Sequence, residues 1–161
     1  MNSINAAKEQ PIFKVTAISD EIANEIRATG KWAGFPASSS VAMGYGPCRL
    51  CLNTFETGKD ERTFFTYNAF HGRAELPLPG PVFIHKEGCE RFGGDIFPPA
   101  LRTLPMLFEA FSADGEMVQR IRVIEDRIES QIEQLFAMET TKYIYVRNAE
   151  AGCFMAFIDR R

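Results

Sequence analysis

In the last third of the chain, Ile128, Ile132, Leu135 and Phe136 recur at spacings of four, three and one residues between Glu125 and Met138. That rhythm follows the helical turn and predicts an amphipathic helix covering a sheet. Ile121 and Ile124 would continue the stripe backwards. However, Met106 to Phe111 and Met117 to Ile124 flank Ser112-Ala113-Asp114-Gly115, a glycine-containing connection of hairpin length, and the hairpin is the reading adopted. Tyr143 to Val146 and Phe154 to Ile158 are further strands, joined through Arg147 to Cys153.

Earlier in the chain, the β-branched and aromatic run Ile12 to Ile18 predicts a strand. Ser19-Asp20 then offers an N-cap for a helix over Glu21 to Thr29, with Ile22, Ala23 and Ile26 on one face and Gly30 at its end. Lys31 to Gly46, rich in Gly, Pro and Ser, reads as loop. Leu52 to Asp60 is turn-like and precedes a strand at Arg62 to Tyr67. In Leu76 to Pro81 the prolines remove N–H donors and fix φ, which excludes helix and central strand. Val82 to His85 is a short strand, the glycines around Cys89 make a loop, and Pro98 to Arg102 suits one helical turn. Together these elements predict an α+β fold, a mainly antiparallel β-sheet with two principal helices packed on it.

A chain of 161 residues fits a single domain, 1–161, and its 14 Phe against one Trp make that core largely aromatic. The formal charge of −3, with Lys and Arg scattered, lacks the electrostatic footprint of a nucleic-acid binder. Neither a leader-like run at the start nor a stretch of membrane-spanning length is present, so a cytoplasmic protein is expected. In that compartment thiols stay reduced, and four unevenly spaced cysteines read as metal ligands, redox groups or buried apolar residues rather than a disulfide framework.

The chemistry centres on Cys48 and Cys51, a C-x2-C pair, and on His85 and Cys89, an H-x3-C pair. Three thiolates and one imidazole form a set that Zn²⁺ accepts tetrahedrally, and four protein ligands would make such a site structural, since hydrolytic zinc keeps a position open for water. Cys153 is an alternative fourth ligand if the last strand lies beside the first pair. The competing reading makes His85 a polar strand-end side chain and Cys89 a small half-buried hydrophobe. Thiol redox chemistry would require the first cysteine at the start of a long helix after a strand, whereas here a loop precedes the pair and turns follow it. A nucleophilic Cys48 or Cys51 with His85 as base would need Glu87, Asp95 or Glu90 to orient the ring.

Other polar groups carry weaker readings. His71 reads as a solvated loop residue, and Glu56, Asp60 and Glu61 as solvated surface. Arg49, Arg102 and Arg147 would recognise a planar anion if they converged on one cleft, or else form three unrelated ion pairs. Tyr143 and Tyr145 share a strand face that could stack bases, which the acidic balance opposes. The stripe at Ile128, Ile132 and Leu135 is core packing unless part of it stays exposed as a partner contact. Walker, dinucleotide-fingerprint and nucleophile-elbow motifs are absent from the sequence.

Several motifs resemble those of the bacterial domain-of-unknown-function family 1203, small uncharacterised proteins. The resemblance rests on Pro47-Cys48-Arg49 with Cys51-Leu52, Tyr67 and Phe70, Gly80 to His85 with Cys89, Pro98 to Arg102, and Val146-Arg147-Asn148 with Gly152-Cys153-Phe154. It covers nearly the whole chain in the family's order and implies no catalytic residues. The stretch Arg73 to Leu76 departs from the tyrosine-containing sequence common before the Gly-Pro. More distant members lose the second cysteine or the histidine, which implies that the fold does not depend on a metal.

Overall fold

The computed structural model describes residues 10–70, Arg73 and residues 79–161. It begins with β1 (Phe13–Thr16) and α1 (Asp20–Thr29). Ser19 Oγ accepts the Ile22 N–H at the start of α1, and Gly30 closes it at φ 67°, a left-handed conformation glycine adopts without steric cost. The span expected as loop instead holds the two-residue strands β2 (Lys31–Trp32) and β3 (Phe35–Pro36) and then β4 (Ser38–Val41). The exposed β4 pairs with β5 (Glu61–Asn68), whose edge supplies hydrogen-bond partners that composition does not reveal.

β5 in turn pairs with β6 (Pro79–His85), giving the order β4-β5-β6. Pro79 and Pro81 extend the strand expected from Val82, because an edge position leaves a missing N–H without consequence. Leu76, Pro77 and Leu78, and His71, fall outside the described residues.

The second half forms the other sheet. β7 (Met106–Phe111) and β8 (Met117–Arg122) are the expected hairpin. A 3₁₀ turn, Glu125–Arg127, precedes α2 (Ile128–Ala137), then come β9 (Tyr143–Asn148) and β10 (Phe154–Arg160). The order β1-β10-β9-β7-β8 is antiparallel throughout. Gln131 accepts the Ile124 N–H and donates to the Arg122 carbonyl, so the residues between β8 and α2 bond to a helix side chain instead of extending the helix.

Side-chain alternation gives the five-stranded sheet two different faces. Ile144 and Val146 of β9 cluster with Phe13, Phe108, Ile158 and the α2 residues Ile128, Ile132, Leu135 and Phe136, all buried. Tyr143 and Tyr145 belong instead to a cluster holding Phe154 and Phe157, Phe65, Val82 and Ile84 of the smaller sheet, and Ala23 and Ile26 of α1. Tyr145 stacks on Phe70 at 5.0 Å and Tyr143 on Phe111 at 5.6 Å, so neither tyrosine face is offered to a base.

The architecture is therefore mainly antiparallel sheets with two helices, broadly α+β. One expected sheet is in fact a five-stranded sheet, a three-stranded sheet and a short hairpin, and the two helices join different clusters. Among the described residues no helix is long and apolar enough to cross a membrane.

Candidate metal centre

Backbone bonds hold the C-x2-C turn in place. Cys48 N–H donates to the Asn53 carbonyl at 2.8 Å and Leu52 N–H to the Cys48 carbonyl at 2.9 Å. That tight reversal puts Leu52 at φ 60°, a left-handed conformation that a side chain adopts at a cost and that packing must hold. The turn is tied to β6 by Arg49 N–H on the Phe83 carbonyl and to the link between β1 and α1 by Ile18 N–H on the Arg49 carbonyl. His85 ends β6. Gly88, at φ 78°, lets the chain turn back toward Cys89, and Phe92 N–H bonds the Leu50 carbonyl, closing the loop onto the knuckle.

These constraints gather Cys48, Cys51, His85 and Cys89, whose ligand atoms all lie within 4.8 Å of one another. The Cys48 and Cys89 sulfurs are 3.9 Å apart, and Cys51 Sγ is 3.5 Å from His85 Nδ1. A tetrahedral zinc with bonds of about 2.3 Å to sulfur and 2.0 Å to nitrogen has edges of about 3.8 Å and 3.6 Å, so the two separations match. Cys153 is not in the cluster and bonds to Arg49 instead, which removes it as the alternative fourth ligand. All four cysteines are free thiols.

The surrounding groups orient the four. With Nδ1 toward the sulfurs, His85 Nε2 donates to Asp60 Oδ2 at 3.3 Å. Asp60 is itself held by the Glu56 N–H at 2.7 Å. A carboxylate on the far nitrogen of a histidine fixes tautomer and ring angle, as around many metal-binding imidazoles. The Phe55 ring lies 4.6 Å from the His85 ring, centroid to centroid. Arg27 of α1 donates to the His85 and Lys86 carbonyls and reaches Cys89 Sγ at 3.5 Å, while the His85 N–H points at Cys48 Sγ at 3.2 Å.

Two earlier readings change here. Asp60, expected as solvated surface, partners His85, and it does so in place of Glu87, Asp95 or Glu90. Asp60 is 25 residues from His85 and Arg27 is 62 from Cys89, so no local motif could have found either.

The electrostatics favour charge separation within the cluster. Hydrogen bonds from Cys51 and Cys89, with one from His85, pull the Cys48 thiol far down against the opposing effect of burial. Cys51 is pushed up because its proton is bonded to the Cys48 thiolate. His85 is raised to about 10, first by its bond with Cys48, then by Cys89, with Asp60 adding to it. Asp60 is lowered by the Glu56 N–H and by His85.

The three arginines do not converge. Arg102 forms a bidentate pair with Glu129 of α2 at 2.7–2.9 Å. Arg49 and Arg147 line one cleft between the sheets, together with Cys153. The Ile128, Ile132 and Leu135 stripe is buried, so none of these residues offers a partner surface.

The chain belongs to the family described as protein of unknown function (DUF1203), whose model matches residues 45–160, a span that includes every cysteine and His85. No curated protein and no solved structure matches it.

Proposed function

We propose that this DUF1203 member is a single-domain protein of a reducing compartment such as the cytosol that binds one structural Zn²⁺ through Cys48, Cys51, His85 and Cys89. The observation that carries the reading is the pair of tetrahedron edges, 3.9 Å between Cys48 and Cys89 and 3.5 Å between Cys51 and His85. Thiolate and imidazole donors suit zinc better than the hard cations, which prefer oxygen. Binding would replace the protons now shared among the cluster by a divalent charge, since zinc takes thiolate and neutral imidazole.

A structural role follows from the donor count and the surroundings. Four protein ligands leave no position for a reacting water. Such an ion would join the knuckle between α1 and β5 to the end of β6 and the loop beyond it, segments otherwise connected by a handful of backbone bonds. Protein purified without added metal is expected to contain about one equivalent of zinc by elemental analysis. Less than about half an equivalent of any transition metal, together with a Cys48→Ser variant that melts like the parent, overturns the reading.

A further inference from the structure

A second feature of the molecule has no part in the metal cluster: the cleft between the two sheets that Arg49 and Arg147 share. Its volume is about 350 Å³, and its walls include Tyr67, Phe83, Tyr145 and Cys153. That size lies at the lower end of small-molecule sites, which combine apolar walls with a few polar groups. No carboxylate is among the described residues lining it.

The charges around the cleft do not balance. Arg49 is 2% exposed, and its guanidinium donates to the carbonyls of Phe154 and Pro47 and to Cys153 Sγ at 3.0 Å. Among the described residues it pairs with no carboxylate. Arg147 pairs with the fully buried Glu109, but Arg120 claims the same carboxylate. Glu109 is thus divided between two guanidinium groups while Arg49 has no carboxylate among the described residues, and a buried cation is costly unless an anion accompanies it.

Donors remain for such an anion. A guanidinium has five N–H groups. Arg49 uses three on protein atoms, and Arg147 uses three on Glu109 and the Gly152 carbonyl. The hydroxyls of Tyr67 and Tyr145 stay protonated at neutral pH, burial having raised both, Tyr145 to about 12. They are neutral donors beside the two cations.

We propose that this cleft binds a small organic carboxylate with an apolar body, its carboxylate held by Arg49 and Arg147 and its body against Phe83 and the neighbouring aromatic wall. Planar forks match a carboxylate edge to edge, and aromatic walls favour a ligand with an apolar part over a bare oxyanion. Arg49 lies between the two cysteines of the knuckle, so the same turn that aims the sulfurs one way delivers this guanidinium to the cleft.

Cys153 beside Arg49 provides the readout. Benzoate or hexanoate is expected to slow iodoacetamide alkylation of Cys153, followed by peptide mass spectrometry, while uncharged benzamide leaves the rate unchanged. In Arg147→Gln, where Glu109 keeps Arg120, the chain should fold and the concentration for half-protection should rise at least about tenfold. Arg49→Lys, which keeps the charge but loses the fork, should also weaken protection if it folds. Protection by neither acid up to about 10 mM, or protection unchanged in Arg147→Gln, overturns the proposal. Inorganic phosphate protecting as well as benzoate overturns the assignment to an organic acid. Protection in a preparation that carries no zinc supports the cleft site while the metal reading fails, so the two outcomes separate.

Discussion

The two faces of the five-stranded sheet are built by different physics. On the α2 side, Phe108, Ile144, Val146, Ile158 and the helix stripe form a cluster of buried, mostly aliphatic side chains in regular elements. Each such side chain contributes about 1.5–3 kcal/mol by leaving water, and nothing there depends on one atom-to-atom geometry. On the opposite side the aromatic cluster, which includes Cys48 and Cys51, grades into the knuckle, where a few short side chains and backbone bonds between loops hold four candidate ligand atoms together. The first region tolerates local adjustment. The second depends on a handful of positions, because a ligand displaced by an ångström no longer reaches a common centre.

The largest expected break in that contrast comes from Cys48→Ser, or from chelation of the parent. Either should empty the centre, and an ion held at a thousandfold above its dissociation constant contributes about 4 kcal/mol that would then be lost. Hydrogen exchange should accelerate at the knuckle and the end of β6 while α2 and β9 keep their protection. Faster exchange in α2 by the same factor would show one cooperative unit instead of two regions.

The converse variant, Leu135→Ala, removes a buried α2 side chain and should cost about 2–5 kcal/mol in denaturant melts. Its zinc content should equal the parent's. Loss of metal in this variant would erase the distinction between the faces.

Asp60→Asn tests the orientation of His85 without touching a ligand. Metal affinity in chelator competition should fall about 10- to 100-fold, the usual effect of losing such a partner, with the apo-protein's melting point nearly unchanged. An unaltered affinity would return Asp60 to solvated surface. The smallest effect is expected at Ser19→Ala, which removes the N-cap of α1 and should cost about 1 kcal/mol. Arg27, which reaches the Cys89 sulfur, sits in the last turn of α1, at the end away from this cap, so the metal content should equal the parent's.

Elements whose reason is local could be read along the chain. The α1 caps, the β7–β8 hairpin, the α2 stripe and the strands β9 and β10 follow from periodicity, Ser19, Gly30 and the turn at Ser112 to Gly115. The β4 strand could not be read, since Ser38, Ser39 and Ser40 are strand only because β5 lies beside them. The two prolines of β6 required knowing that it is an edge. Arg49, Arg102 and Arg147 looked alike in sequence, yet α2 takes Arg102 for Glu129 while the cleft keeps the other two.

For the candidate site, residue types and short spacings picked out four candidate ligands, because a C-x2-C turn and a histidine four residues before a cysteine are chemical facts of the sequence alone. Which cysteine joins Cys48, Cys51 and His85 was decided by the packing of β10, whose preceding residue Cys153 meets the Arg49 guanidinium instead of the other sulfurs. Which carboxylate serves His85 was decided by the turn that brings Asp60 beside β6. A local sequence controls turns and periodicities within a few residues, but contacts across 25 or 100 positions exist only after the sheets have set their register.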